Sequence, residues 1–161
     1  MIRQLKISIA GSLFLMKIKS NNFNSPSFPK ETKIKPHHTS RFAFNFSFLT
    51  KESKYNLDSR GNTIDNRVRL KLLERIYQLS QEDIVRILGL NKKQGLEKIP
   101  EEKVRLRIHS DFKSSNRYKE CEDDYWVFRL GNLGRVIGKK NSNIFYVMSI
   151  DASFDQYDHG S

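Results

Sequence analysis

Three apolar stretches near the C-terminus constrain the fold more than any other feature of the chain. Residues 125–130, 134–139 and 144–151 are strand-length and rich in Val, Ile, Phe and Tyr; only Gly131-Asn132-Leu133-Gly134 and Lys140-Asn141-Ser142-Asn143 part them. Connections this short cannot carry a parallel crossover, so each must reverse the chain, and the three segments form an antiparallel meander.

Upstream, Phe42, Phe44, Phe46 and Phe48 alternate with Ala43, Asn45 and Ser47, the period of a strand with one buried face. Stacking of nucleic-acid bases on the four rings is the functional alternative to burial. Asn62 or Thr63 caps a helix running to about Leu79, with Ile64, Val68, Leu72, Ile76 and Leu79 on one side and Arg67, Arg69, Lys71 and Arg75 mostly on the other. The pattern predicts an amphipathic helix with a basic outer surface. Ser80 opens a second short helix, with Asp83 at the capping-box position and Gly89 as its stop. A basic loop carrying Lys92 and Lys93 follows. Val104, Leu106 and Ile108 then alternate with Arg105, Arg107 and His109, which predicts a strand presenting two arginines and a histidine outward. Residues 110–124 are polar and read as a long exposed loop. The expected fold class is therefore α+β: a strand, a helical hairpin, then a four-stranded mostly antiparallel sheet. Phe44, Phe46, Leu72, Ile76, Trp126, Phe128, Phe145 and Val147 are its expected core.

That domain covers residues 41–161. Residues 1–40 read as a flexible basic arm, because residues 20–40 are dominated by Asn, Ser, Pro and Lys and hold no apolar period. His37 and His38 lie there without further Cys or His at ligand spacing, so no metal site is expected. The basic start and short apolar run of residues 1–16 leave three readings open: an extension outside the fold, with Met16 as the true start, a first strand, or a secretory signal lacking a small-residue cleavage pattern. The run is too short for a membrane span.

Lys and Arg total 29 against 18 Asp and Glu, a net charge of +11. The excess lies before residue 121, beyond which acids outnumber bases. Such a balance favours a polyanionic partner, RNA or DNA first. The single cysteine, Cys121, excludes an intrachain disulfide and fits a reducing cytoplasm, and its flanking carboxylates disfavour a thiolate. There is no GxGxxG, P-loop, HExxH, paired CxxC or GxSxG, and no cofactor is expected. What remains is a set of basic and ring-bearing groups: Arg105, Arg107 and His109 on one strand, Arg129 and Arg135 flanking a turn, Lys92 and Lys93 in their loop, and Tyr157-Asp158-His159 near the end. Groups of this kind can hold a phosphate backbone. They can also, without metal, deprotonate a ribose 2′-hydroxyl, stabilise the phosphorane and protonate the leaving oxygen.

The order β-α-α-β-β-β, the Phe128-Arg129 and Gly134-Arg135-Val136-Ile137 pieces of a hairpin, the apolar strand at 144–150 and the terminal Tyr157-Asp158-His159 resemble the RelE/ParE superfamily of bacterial toxins, and the triplet is similar to the end of its HigB branch. The resemblance implies a toxin that cleaves messenger RNA on the ribosome and is neutralised by a small antitoxin. It would use Tyr157 and His159 as acid and base, with Asp158 orienting the imidazole, and Arg135 at the scissile phosphate. The segments FRLGNLGRVIG, NIFYVMSID and YDHG also resemble small uncharacterised proteins of phages and mobile elements, which implies no activity. Three functions stand as expectations: an RNA-cleaving toxin or inactive relative, a non-catalytic nucleic-acid-binding accessory protein, and a protein-interaction module.

Overall fold

The structure, a computed structural model, describes residues 40–58 and 60–158. The expected arm, apart from Ser40, and His159 lie outside the described residues. The described part has an α+β fold in which helices precede a mostly antiparallel sheet. The elements are β1 (Ala43–Asn45), α1 (Asn66–Ser80), α2 (Ile84–Gly89), β2 (Glu97–Ile99), a 3-10 turn (Glu101–Lys103), α3 (Ser110–Lys113), α4 (Asn116–Lys119), β3 (Tyr125–Arg129), β4 (Arg135–Asn141) and β5 (Ile144–Asp151). The sheet has five strands in the order β1-β5-β4-β3-β2. Its centre is the expected meander, and β1 adds to β5 in parallel, pairing Phe44 with Phe145.

Apolar residues cover both faces. Phe42, Val68, Leu72, Leu79, Ile87, Phe128, Phe145 and Val147 cluster on the helical face. Ile99, Phe112, Tyr125, Val127, Ile137, Tyr146, Met148 and Tyr157 cluster on the other. This two-sided burial is why β5 opens with five successive apolar residues, Ile144–Met148, rather than an alternating pattern. A bulge in β5 sets Ile137 opposite Ser149 but Gly138 opposite Val147. Gly138 permits it: a Cβ there would lie 2.2 Å from the Tyr146 carbonyl oxygen and 2.5 Å from the Phe145 ring.

Several expectations are corrected. The first strand is three residues long because the Asn45 side-chain oxygen accepts the Ser47 N–H at 2.9 Å and turns the chain. Phe46 consequently sits on the outside of the turn, 36% exposed, while Phe48 crosses to the other face and stacks on Phe112 at 4.5 Å. Phe44, Ile76 and Trp126 are only partly buried. Asp65, not Asn62 or Thr63, caps α1, accepting the Val68 N–H at 2.9 Å. Asp83, not Ser80, caps α2.

Residues 104–108 are not a sheet strand. Their side chains alternate as expected, with Val104, Leu106 and Ile108 against the second cluster. But the segment lies across the sheet face, and the Arg105 N–H donates to the Gln156 carbonyl at 2.7 Å. The edge of the sheet is β2 instead, paired to β3. Residues 110–124 are not a plain exposed loop either, since α3 and α4 hold the fully buried Phe112.

Candidate functional site

The basic candidates divide according to where the backbone puts them. On β4 the cations face inward and are already engaged. Arg135 is 1% exposed; its Nε donates to Asp151 Oδ2 at 2.9 Å, its Nη2 donates to the Tyr157 carbonyl at 2.7 Å, and the Tyr157 ring lies 3.6 Å from its guanidinium carbon. Arg135 was expected at a phosphate; in the fold it is a buried post that pins the C-terminal tail. Tyr157 is itself 2% exposed, and burial pushes its hydroxyl above the ordinary tyrosine range although the Arg135 charge works against it. Two of the expected site residues, Tyr157 and Arg135, are thus buried against each other. Lys139, also buried, donates to the carbonyls of Asp123 and Glu122 and to Glu101, beneath the Tyr125 ring.

Arg129 is half-buried and donates to Glu97 Oε2 at 3.1 Å. His109 turns its ring inward, where Nδ1 accepts the Asp111 N–H at 3.2 Å and caps α3. On α1, Arg69 donates to the carbonyls of Ile64 and Leu57, and Arg75 to those of Arg129 and Gln94. Of the four cations expected on the outer surface of the helix, Arg67 stays exposed and Lys71 meets Glu74 at the surface, while Arg69 and Arg75 are engaged by backbone carbonyls. Cys121 is half-buried, and its thiol is pushed up to about 11, by burial first and by Glu120 and Glu122 second, against the pull of Lys139 and Lys140. At neutral pH it is no nucleophile.

The segment outside the ladder differs. Lys103, the last residue of the 3-10 turn, and Arg105 and Arg107 on the segment that follows are all exposed. Alternate residues of extended chain stand about 7 Å apart, so the two arginines line one edge and Lys103 stands at its start. Lys103 and Arg107 make no ion pair among the described residues. Arg105 meets Asp158 at 3.3 Å, both highly exposed, a pairing that a phosphate can displace because solvent screens it. Lys103, Lys92, Lys98, Tyr157 and Asp158 border a depression of about 290 Å³. At the other end Arg107 and His109 border a second, of about 380 Å³, with Lys51 and Thr50. Lys93, beside Lys92, is exposed.

Of the residues expected at a site, the structure brings Lys92, Arg105 and Arg107 to one basic band with Lys93 beside it, and sets Arg129, Arg135, His109 and Tyr157 to structural work. Lys103 and Lys51 were missed. The alternation of residues 104–109 extended one position upstream would have found Lys103; Lys51 has no local signal. Among the described residues, no helix is long and apolar enough to cross a membrane. No protein-family model matches the chain, and neither a curated protein nor a solved structure matches it.

Proposed function

We propose that this protein binds the phosphate backbone of a nucleic acid without cleaving it. The observation that carries the reading is the solvent-facing run of Lys103, Arg105 and Arg107, continued by Lys92 and Lys93 at one end and Lys51 at the other. Cations on an extended edge neutralise successive phosphates and release their counterions, which gives affinity without base readout. The rival, metal-independent cleavage of messenger RNA in the manner of RelE-like toxins, rested on Tyr157, His159 and Arg135. Two of these three are stacked on each other inside the fold, so binding is the stronger reading.

The test is a titration of a labelled single-stranded RNA, and of its DNA counterpart, over a range of salt concentrations. Tight binding at low salt with a steep salt dependence is expected. Replacing Lys103, Arg105 and Arg107 together by Ala should lower the slope of log K against log salt by about 2, at roughly 0.7 per phosphate contact on a single strand. A slope unchanged by the triple replacement, or absence of binding at low salt, would falsify the assignment. Transcript cleavage by the purified chain would restore the rival.

A further inference from the structure

The outer side of α1 carries an apolar stripe that the fold does not cover. Leu70, Leu73 and Tyr77, at i, i+3 and i+7, are 60%, 64% and 66% exposed. On α2, Val85 and Leu88, three apart, are exposed as well. Single exposed leucines are ordinary, but a run at helical spacing opposite the buried Val68, Leu72 and Leu79 gives α1 two apolar sides, one more than its own core uses. Leu70 to Tyr77 spans about 10 Å, two turns of a facing helix.

Charge selects the occupant. Arg67 stands one turn before Leu70, and the exposed Arg41 bridges by its backbone to Asp83 at the start of α2, beside Val85. Neither side chain makes an ion pair among the described residues. Among the described residues Lys71 pairs with Glu74 on the same helix and Arg86 with the partly buried Glu82 just before α2, surface contacts of little worth in water. A second copy of the chain would set Arg67 and Arg86 against their equivalents and bring two +11 molecules together.

We infer that the α1–α2 outer face docks an acidic amphipathic helix of another protein, with apolar residues on Leu70, Leu73 and Tyr77 and carboxylates toward Arg67 and Arg41. This surface is distinct from the basic band and does not depend on nucleic-acid binding.

The probe is a labelled synthetic helical peptide with leucines at i, i+3, i+4 and i+7 and glutamates flanking them, titrated into the full chain by fluorescence anisotropy. Saturable binding is expected. It should weaken at least tenfold in a Leu73→Ser, Tyr77→Ser double variant, the scale of removing central anchors, and at least tenfold for a peptide with lysine flanks. Arg67→Glu leaves the stripe intact and should also weaken binding, which keeps the test decisive if the double variant folds poorly. Absence of saturable binding, equal affinity for the lysine-flanked peptide, or affinity unmoved by Arg67→Glu overturns the proposal. So does sedimentation showing a dimer that the double variant dissolves, or binding to phosphatidylserine vesicles without binding to the peptide.

Discussion

Replacing Arg135 with Met separates a structural cation from a ligand-binding one. The side chain is 1% exposed and its partner Asp151 0%, so the variant loses the 2.9 Å bond to Asp151, the 2.7 Å bond to the Tyr157 carbonyl and the stacking against the Tyr157 ring. Asp151 keeps the backbone N–H groups of Asp155 and Gln156, but its charge stays buried without a counter-ion. Breaking a buried pair from one side costs about 3–5 kcal/mol. The cation–π contact, roughly 1–2 kcal/mol, shares atoms with the same loss and does not simply add. A loss of about 4 kcal/mol is a large share of the 5–15 kcal/mol typical of a domain. Urea denaturation followed by far-UV circular dichroism measures it. The double variant Arg135→Met, Asp151→Leu should recover part of the loss, since no lone charge then remains inside. The salt slope of RNA binding should match the wild type. A stability loss under about 1 kcal/mol together with a flatter salt slope would show that Arg135 meets a phosphate, and would refute the burial argument.

Gly138→Ala should destabilise by at least about 1–3 kcal/mol, the usual scale of overpacking, because the new methyl meets the Tyr146 carbonyl at 2.2 Å; an unchanged melting temperature would mean that the bulge is not where the register places it. Stability should also fall on acidification through Glu122. Burial works to raise its carboxyl, but hydrogen bonds from Lys140 and Trp126 and the nearby Lys98 hold it below the usual range. A group depressed in the folded state stabilises above its unfolded pKa, about 4.3, and that contribution disappears as pH drops through the lower folded value. The effect is small because the side chain is 39% exposed. The single tryptophan reports it directly, so the fluorescence change of Trp126 below about pH 4.5 should vanish in Glu122→Gln, and parallel profiles for the two proteins would contradict the account.

The meander was legible in the sequence because short turns leave one option and because each strand is buried on both faces. The helices α1 and α2 were legible by period, while α3 and α4 were not; the start of α1 was misjudged by a few residues because several capping residues, Asn62, Thr63 and Asp65, stand close together before the buried Val68. Alternation at residues 104–108 was read correctly as side-chain geometry and incorrectly as a strand. Period two reports an extended chain with one buried face, whether the burial is against a ladder edge or flat across a sheet. The true edge strand, Glu97–Ile99, is too short and too polar to announce itself. At the site, composition supplied the charge but not its allocation, since Arg135 and Arg105 look alike in a sequence and differ wholly in surroundings.

That allocation joins the two halves of the molecule's polar chemistry. The buried Arg135–Asp151 pair and the hydrogen bond from Ser149 to Gln156 hold the tail after β5 against the sheet. The Gln156 carbonyl then accepts the Arg105 N–H, a backbone tie from the tail to the extended segment. Asp158, two residues on, pairs with Arg105 at 3.3 Å. The exposed segment is thus tied by its backbone to a tail held by buried groups, and its Arg105 side chain pairs with an exposed carboxylate. On the proposed function, Arg135 would act on binding through position only. Its removal should loosen affinity by disordering the edge while leaving the number of phosphates met, and hence the salt slope, unchanged. Asp158→Asn should do the opposite, raising affinity at low salt by removing the competing carboxylate without changing stability, and a variant that bound no tighter would place the phosphates elsewhere.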